Sequence, residues 1–167
     1  MNRLFLAIRA QLHDYSSLQS DFLGSTKGRW VASENLHLTM CYFGDTYSID
    51  DLLKILSVVV EEVEPLTLTS LGYFEHNKIL YAKVKSKKLE RLQSSISSLF
   101  SLPNEKLFIP HVTLMRIKDI HNKNAFKQIL ENYKDKTIGR LDTRLELINS
   151  HLSPDGVEYE SVKRFES

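Results

Sequence analysis

Two short segments carry side chains able to do acid/base chemistry near neutral pH: Asn35-Leu36-His37-Leu38-Thr39-Met40 and Ile109-Pro110-His111-Val112-Thr113-Leu114. Each sets a histidine two positions before a threonine within an apolar run. Side chains of a strand alternate between faces, so His and Thr project together, opposite Leu38 and Met40 in one copy and Val112 and Leu114 in the other. Strict alternation also puts Cys41 on the His37 face and Tyr42 on the apolar face. In the second copy it puts Met115 with His111 and turns Arg116 away, unless a bulge or strand end intervenes. An imidazole titrates at about 6.5, so one neutral histidine can take a proton while a protonated twin gives one. Between them they can activate water and protonate a leaving oxygen. Two threonine hydroxyls, one donor each, suit the non-bridging oxygens of a phosphate. A single His-x-Thr carries no weight, because a lone strand histidine is usually structural. Two copies at matched positions favour paired catalysis. Acidic residues do not cluster near either segment and His-x-Thr supplies too few ligands for zinc, so no metal or other cofactor is expected.

The elements that must hold these segments follow from hydrophobic period and punctuation. Residues 4–8 read as a strand, 12–23 as a helix, 36–43 as a strand, 50–63 as a helix stopped by Pro65, and 66–74 as a strand. Ser48 with Asp51 three positions later resembles a capping box. The order then repeats: strand 79–84, helix 89–100, strand 108–116, helix 126–133 and strand 141–152. Leu4 to His37 is 33 positions and Ile79 to His111 is 32, which suggests a duplication with repeats at about 1–75 and 76–152. The turn Ser153-Pro154-Asp155-Gly156 opens a closing hairpin that runs to 167, so the whole chain reads as one domain. With the halves related by a pseudo-two-fold axis, the two motifs meet across a cleft.

Composition narrows the class. With 167 residues, 42% of them hydrophobic, the chain can bury one real core. A lone Cys41 excludes internal disulfides and cysteine-based zinc sites, which points to a reducing compartment and a cytoplasmic location. No apolar stretch approaches the roughly 20 residues that cross a bilayer, and the apolar run after Arg3 is too short for a signal peptide, so no membrane partner is expected. Net charge is +1, yet residues 1–83 carry 7 basic against 10 acidic groups and residues 84–167 carry 15 against 11. That asymmetry fits a basic surface beside a phosphate-bearing ligand and fits solvated charge about as well.

Beyond these readings, the chain resembles the RNA 2′,3′-cyclic phosphodiesterases of the two-histidine (2H) phosphoesterase superfamily, whose members also carry the name 2′-5′ RNA ligase. The resemblance rests on Arg3-Leu4-Phe5-Leu6-Ala7-Ile8, on Trp30 with the first motif and Phe43-Gly44, and on Phe108 to Leu114 with Arg116. It ends on Ser150-His151-Leu152-Ser153-Pro154-Asp155-Gly156 with Tyr159. It implies a bilobal α+β fold, with antiparallel sheets lining a central cleft and helices outside. It also implies metal-free opening of a 2′,3′-cyclic phosphate to a 2′-phosphate. By position, His37 and His111 become the acid/base pair, with the second commonly the base. Thr39 and Thr113 become phosphate-oxygen donors. The family frequently has a basic residue two positions after the first threonine, where this chain has Cys41. Arg116 is the nearest substitute, since a guanidinium suits phosphate.

Tyr42 and Phe43 can stack on a base, but aromatic residues in an apolar strand are more often core, as are Phe5 and Trp30. His13, His76, His121 and His151 lack a companion threonine and read as surface or structural. The expected partners are RNA ends or cyclic nucleotides, met by a monomer. Competing readings are 2′-5′ RNA joining or 2′-5′ phosphodiester cleavage in the same cleft, and a non-catalytic RNA or nucleotide-binding module.

Overall fold

The computed structural model of the protein describes residues 1–100 and 108–166. Ser167, the last residue of the expected hairpin, lies outside the described residues. The described residues form nine strands and four α-helices. The strands are β1 (Leu4–Leu12), β2 (Thr26–Trp30), β3 (His37–Gly44), β4 (Thr67–Thr69), β5 (Leu71–Phe74), β6 (Ile79–Lys83), β7 (His111–Ile120), β8 (Thr137–Ser153) and β9 (Gly156–Arg164). The helices are α1 (Tyr15–Asp21), α2 (Ile49–Val59), α3 (Lys87–Leu99) and α4 (Lys123–Asn132).

All nine strands join one antiparallel sheet in the order β4-β8-β1-β3-β7-β6-β5, with β2 added to β7 and β9 to β8. The sheet is α+β in class, as expected, and it narrows to a seam in its middle. There β3 and β7 share a single pairing, Leu38 with Val112. On one side of the seam β1, β3, β4, β8 and β9 form a lobe; on the other stand β2, β5, β6 and β7. The two halves of the chain exchange strands: β8, from the second half, pairs with β1, while β5, from the first, pairs with β6.

Alternation makes the sheet two-faced. Leu4, Leu6, Ile8, Leu38, Val112, Leu114 and Leu80 are buried in the main core together with Leu18, Leu52, Leu56, Leu89, Ile96 and Phe126 from the four helices. Each such side chain stabilises the fold by about 1.5–3 kcal/mol, and the helices therefore cover the same face of the sheet. Ser48, Ser86 and Asn122 cap α2, α3 and α4 by accepting the backbone N–H three positions on, at 3.1, 3.2 and 3.1 Å. Among the described residues, the small cluster on the opposite face, Phe5, Ala7 and Ile148 with Tyr159, includes no helix residue.

Several boundaries differ from the sequence reading; α2, expected over 50–63, ends at Val59, β7 runs on to Ile120 and β8 starts at Thr137. The strand expected over 66–74 is broken at Ser70, whose φ of 70° ends β4 and lets β5 cross to the other lobe. Strand β1 continues to Leu12, so α1 starts only at Tyr15. Residues 26–30, to which the sequence reading gave no element, form β2; Gly28 lets its backbone press against β7, where a Cβ would sit 2.4 Å from the Arg116 carbonyl oxygen.

Candidate active site

The face opposite the helices gathers the reactive side chains at the seam. Antiparallel register about the Leu38–Val112 pair sets His37 beside Thr113 and Thr39 beside His111. The four residues that spacing alone singled out are thus brought together, with both histidines only partly exposed.

Both imidazoles are held alike. His37 Nδ1 lies 2.7 Å from the Asn35 carbonyl oxygen, and His111 Nδ1 lies 2.7 Å from that of Ile109. A carbonyl only accepts, so Nδ1 carries hydrogen in each ring and Nε2 is the atom left for chemistry. Each ring also rests on two aromatic side chains. Phe5 and Tyr159 stand 5.1 and 5.3 Å from His37, while Phe74 and Tyr81 stand 5.1 and 5.5 Å from His111. Phe5, Ala7 and Ile148 form a small second core under Tyr159, separate from the main one. Phe5 is buried as expected, but on the histidine face; position parity with Ala7 and against Leu4 and Leu6 was the available signal. Trp30 packs among Tyr15 and Phe22 as a core residue.

Burial pushes both histidines below their ordinary range. For His37 desolvation dominates, the Asn35 carbonyl opposes it, and the positive charges of Arg9, His111 and Arg116 add to the lowering. For His111 desolvation dominates and the Ile109 carbonyl opposes it. Free of ligand, the cleft therefore favours neutral imidazoles, and the surrounding cations weigh on His37. Tyr159 is raised by burial, an effect offset by Arg116, Arg9 and Arg3. Arg9 stands 5.9 Å from the Tyr159 ring and is held by Glu146 at 2.9 Å, a partner 7% exposed. Neither Arg9 nor Glu146 carried a local sequence signal, since they meet only through β1–β8 pairing.

Strict alternation fails just beyond each threonine. On β3, Ala7 pairs with Thr39 but Leu6 pairs with Cys41, so Met40 is an extra residue. On β7, Tyr81 pairs with Thr113 but Leu80 pairs with Met115, so Leu114 is extra. Each bulge turns two successive residues inward and the third outward. Cys41 is consequently 4% exposed in the core beside Ser97, not on the His37 face, and burial lifts its thiol to about 11. Met115 is likewise in the core rather than beside His111. Tyr42, expected on the apolar face, is 57% exposed, and Arg116 is exposed on the histidine side with its charge felt at His37. Of the other histidines, His151 faces Glu160 at 3.4 Å, His121 faces Asp119 at 4.0 Å, and His76 meets the Phe74 ring at 5.7 Å. Among the described residues no three His, Cys, Asp or Glu side chains cluster as metal ligands, and no helix is long and apolar enough to cross a membrane.

Comparison with known proteins places this geometry. The model of the 2′-5′ RNA ligase superfamily matches residues 7–151. An RNA 2′,3′-cyclic phosphodiesterase of Methanocaldococcus jannaschii is 28% identical, over 98% of this chain and 99% of the relative. One of Aquifex aeolicus is 28% identical, over 83% and 81%. Among solved structures, E. coli LigT complexed with 3′-AMP superposes with a TM-score of 0.74 at 22% identity, covering 98% of this chain and 97% of that one. A phosphoesterase superposes at 0.72 with 21% identity over 98% and 97%. These likenesses establish the bilobal fold.

Proposed function

The chain belongs to the 2′-5′ RNA ligase superfamily, and on that footing we propose that it hydrolyses 2′,3′-cyclic phosphates, at RNA ends or on nucleotides, to 2′-phosphates. The observation that carries this reading is the matched pair of histidines, each anchored through Nδ1 so that Nε2 is the ring nitrogen left for chemistry. The names of the M. jannaschii and A. aeolicus relatives support the substrate class.

The reaction needs one proton moved in each direction. The neutral imidazole takes a proton from water as the water oxygen bonds to phosphorus. The protonated imidazole gives its proton to the departing 3′-oxygen as the phosphorus–O3′ bond breaks. A 2′-phosphate and a 3′-hydroxyl result, and the two rings have exchanged protonation states, which solvent restores. Thr39 and Thr113 donate hydroxyl hydrogens to the non-bridging oxygens, where charge builds in the transition state. Arg116 adds a guanidinium on the same face, and Tyr42 offers a ring for the base beyond Thr39. Substrate negative charge counters the cations around His37, so binding itself favours the protonated partner. The chemistry asks nothing of a metal, because both proton transfers and the charge stabilisation come from side chains.

The test is an RNA oligonucleotide ending in a 2′,3′-cyclic phosphate, incubated with protein and EDTA, the product being assigned by phosphorus NMR. A 2′-phosphate made by the parent and lost in both His37→Ala and His111→Ala supports the reading. A cyclic end that persists while RNA still binds refutes it and leaves a recognition module. The superfamily name motivates a parallel sample with a 5′-hydroxyl RNA, which tests joining through a 2′-5′ bond.

A further inference from the structure

A hollow of about 1090 Å³ lies away from the seam, between the edge strand β5, the far end of β7 and helix α4. Its apolar part includes Tyr73 and the buried Phe126, whose rings meet edge to face at 5.3 Å. Its rim carries Lys78, Lys83, Lys118, Lys123, Lys127 and Lys134, all exposed. Only three carboxylates, on Glu75, Asp119 and Glu131, share the lining. Among the described residues none of the six lysines makes an ion pair or a side-chain hydrogen bond, whereas Lys88 elsewhere reaches Glu64 at 3.5 Å. None of the six cations therefore has a direct charged partner among the described residues. Lys123 and Lys127 stand one helical turn apart on α4, facing the same groove.

The hollow lies on the α4 side of the sheet and meets the histidine face around the β5 edge, at Tyr81. Tyr81 lines it and also contacts His111 at 5.5 Å while stacking on Phe74 at 4.1 Å. A positive groove with half-buried aromatic rings is the general form of a single-strand nucleic-acid track, in which lysines follow the phosphates and rings meet the bases. Resting on the cyclic phosphodiesterase reading, we propose that this groove holds the RNA strand leading to the reacting end. Oligomeric RNA, rather than a mononucleotide, is then the preferred substrate.

The variant Lys123→Glu/Lys127→Glu reverses two rim charges on an exposed helix face, and glutamate in the first turn of α4 suits the helix dipole. Lys118→Glu on β7 is an independent second change. Three probes are needed: a labelled RNA of about ten nucleotides with an ordinary 3′-hydroxyl, the same RNA with a 2′,3′-cyclic end, and cytidine 2′,3′-cyclic phosphate. Anisotropy should show RNA affinity falling at least about tenfold in the double variant. The slope of log affinity on log salt should shrink by about 1.4, at about 0.7 per lost phosphate contact. The kcat/KM for the mononucleotide should stay within about twofold while KM for the oligomer rises in step with the affinity loss. RNA affinity that does not respond to either variant, or a parent that binds no RNA, overturns the groove and leaves the face to a partner of another class. If the parent turns over neither cyclic substrate yet its RNA affinity depends on these lysines, the groove stands and the phosphodiesterase reading falls.

Discussion

Arg116→Ala tests whether the β7 bulge does what the site requires of it. Arg116 has no ion pair among the described residues, lies exposed, and acts electrostatically on His37. Replacing it should therefore change folding stability by less than about 0.5 kcal/mol, the usual range for a surface substitution. A charge-assisted hydrogen bond to phosphate contributes about 1.5–3 kcal/mol. At 1.36 kcal/mol per decade, its loss lowers kcat/KM for a cyclic nucleotide by about 10- to 150-fold. A second signature accompanies the first. Because the Arg116 charge helps hold His37 down, its removal should move the limb of the kcat/KM profile that His37 governs toward alkaline pH. Arg116→Lys should recover the position of that limb, since the charge returns, and little of the rate, since a point charge does not replace a two-pronged donor. The assay is initial-rate hydrolysis from pH 4.5 to pH 9 with parallel thermal melts. A kcat/KM within twofold of the parent would refute the assignment, and so would a loss matched by a fall in melting temperature.

Four other outcomes follow from the same geometry. His37→Ala and His111→Ala should each lower kcat by about 10²- to 10⁴-fold with the fold retained, which near-ultraviolet circular dichroism alongside kinetics will check. The kcat/KM optimum of the parent should lie on the acid side of 6.5, because both imidazoles are lowered and the base must be neutral while the acid is charged; an optimum above pH 7.5 would contradict the desolvated cleft. Cys41, with its thiol near 11 and its side chain in the core, should resist iodoacetamide at pH 7.5 and react once guanidinium unfolds the chain, as mass spectrometry can follow. Gly28→Ala should cost about 1–3 kcal/mol by urea titration, since its Cβ would sit 2.4 Å from the Arg116 oxygen and 2.9 Å from the Ile117 Cα, both backbone atoms that cannot give way cheaply.

Much of the site was legible because it lies where local rules hold. His37 with Thr39 and His111 with Thr113 precede the bulges, so period-two alternation assigns their face correctly. The same rule fails one residue later: an inserted residue shifts every following side chain, and neither Met40 nor Leu114 differs in type from an ordinary strand residue. Cys41, Tyr42 and Met115 were misplaced for that reason alone, and Arg116 could be placed only with a bulge. Strand β2 was hidden differently. Thr26 to Trp30 is short, charged and glycine-containing, and it exists because β7 is there to pair with it. The link between Arg9 and Glu146 spans most of the chain, so no window of sequence contains both.

On the proposed reading, the paired bulges let two matched His-x-Thr motifs treat the two sides of a substrate differently. In each motif the residue three positions after threonine is turned back to the cleft face, and it is Tyr42 in one half and Arg116 in the other. The two histidines are held alike, while the third position supplies a ring on one side and a guanidinium on the other. On the proposed reading a ring would meet the base and a guanidinium the phosphate, which puts the asymmetry that orients a cyclic phosphate in these two side chains rather than in the histidines. Exchanging them, as Tyr42→Arg with Arg116→Tyr, should therefore reverse or abolish the regiochemistry of opening while both imidazoles keep their carbonyl anchors. NMR assignment of the product as 2′- or 3′-phosphate reads that directly, and an unchanged 2′-phosphate formed at the parental rate would place the orienting contacts elsewhere.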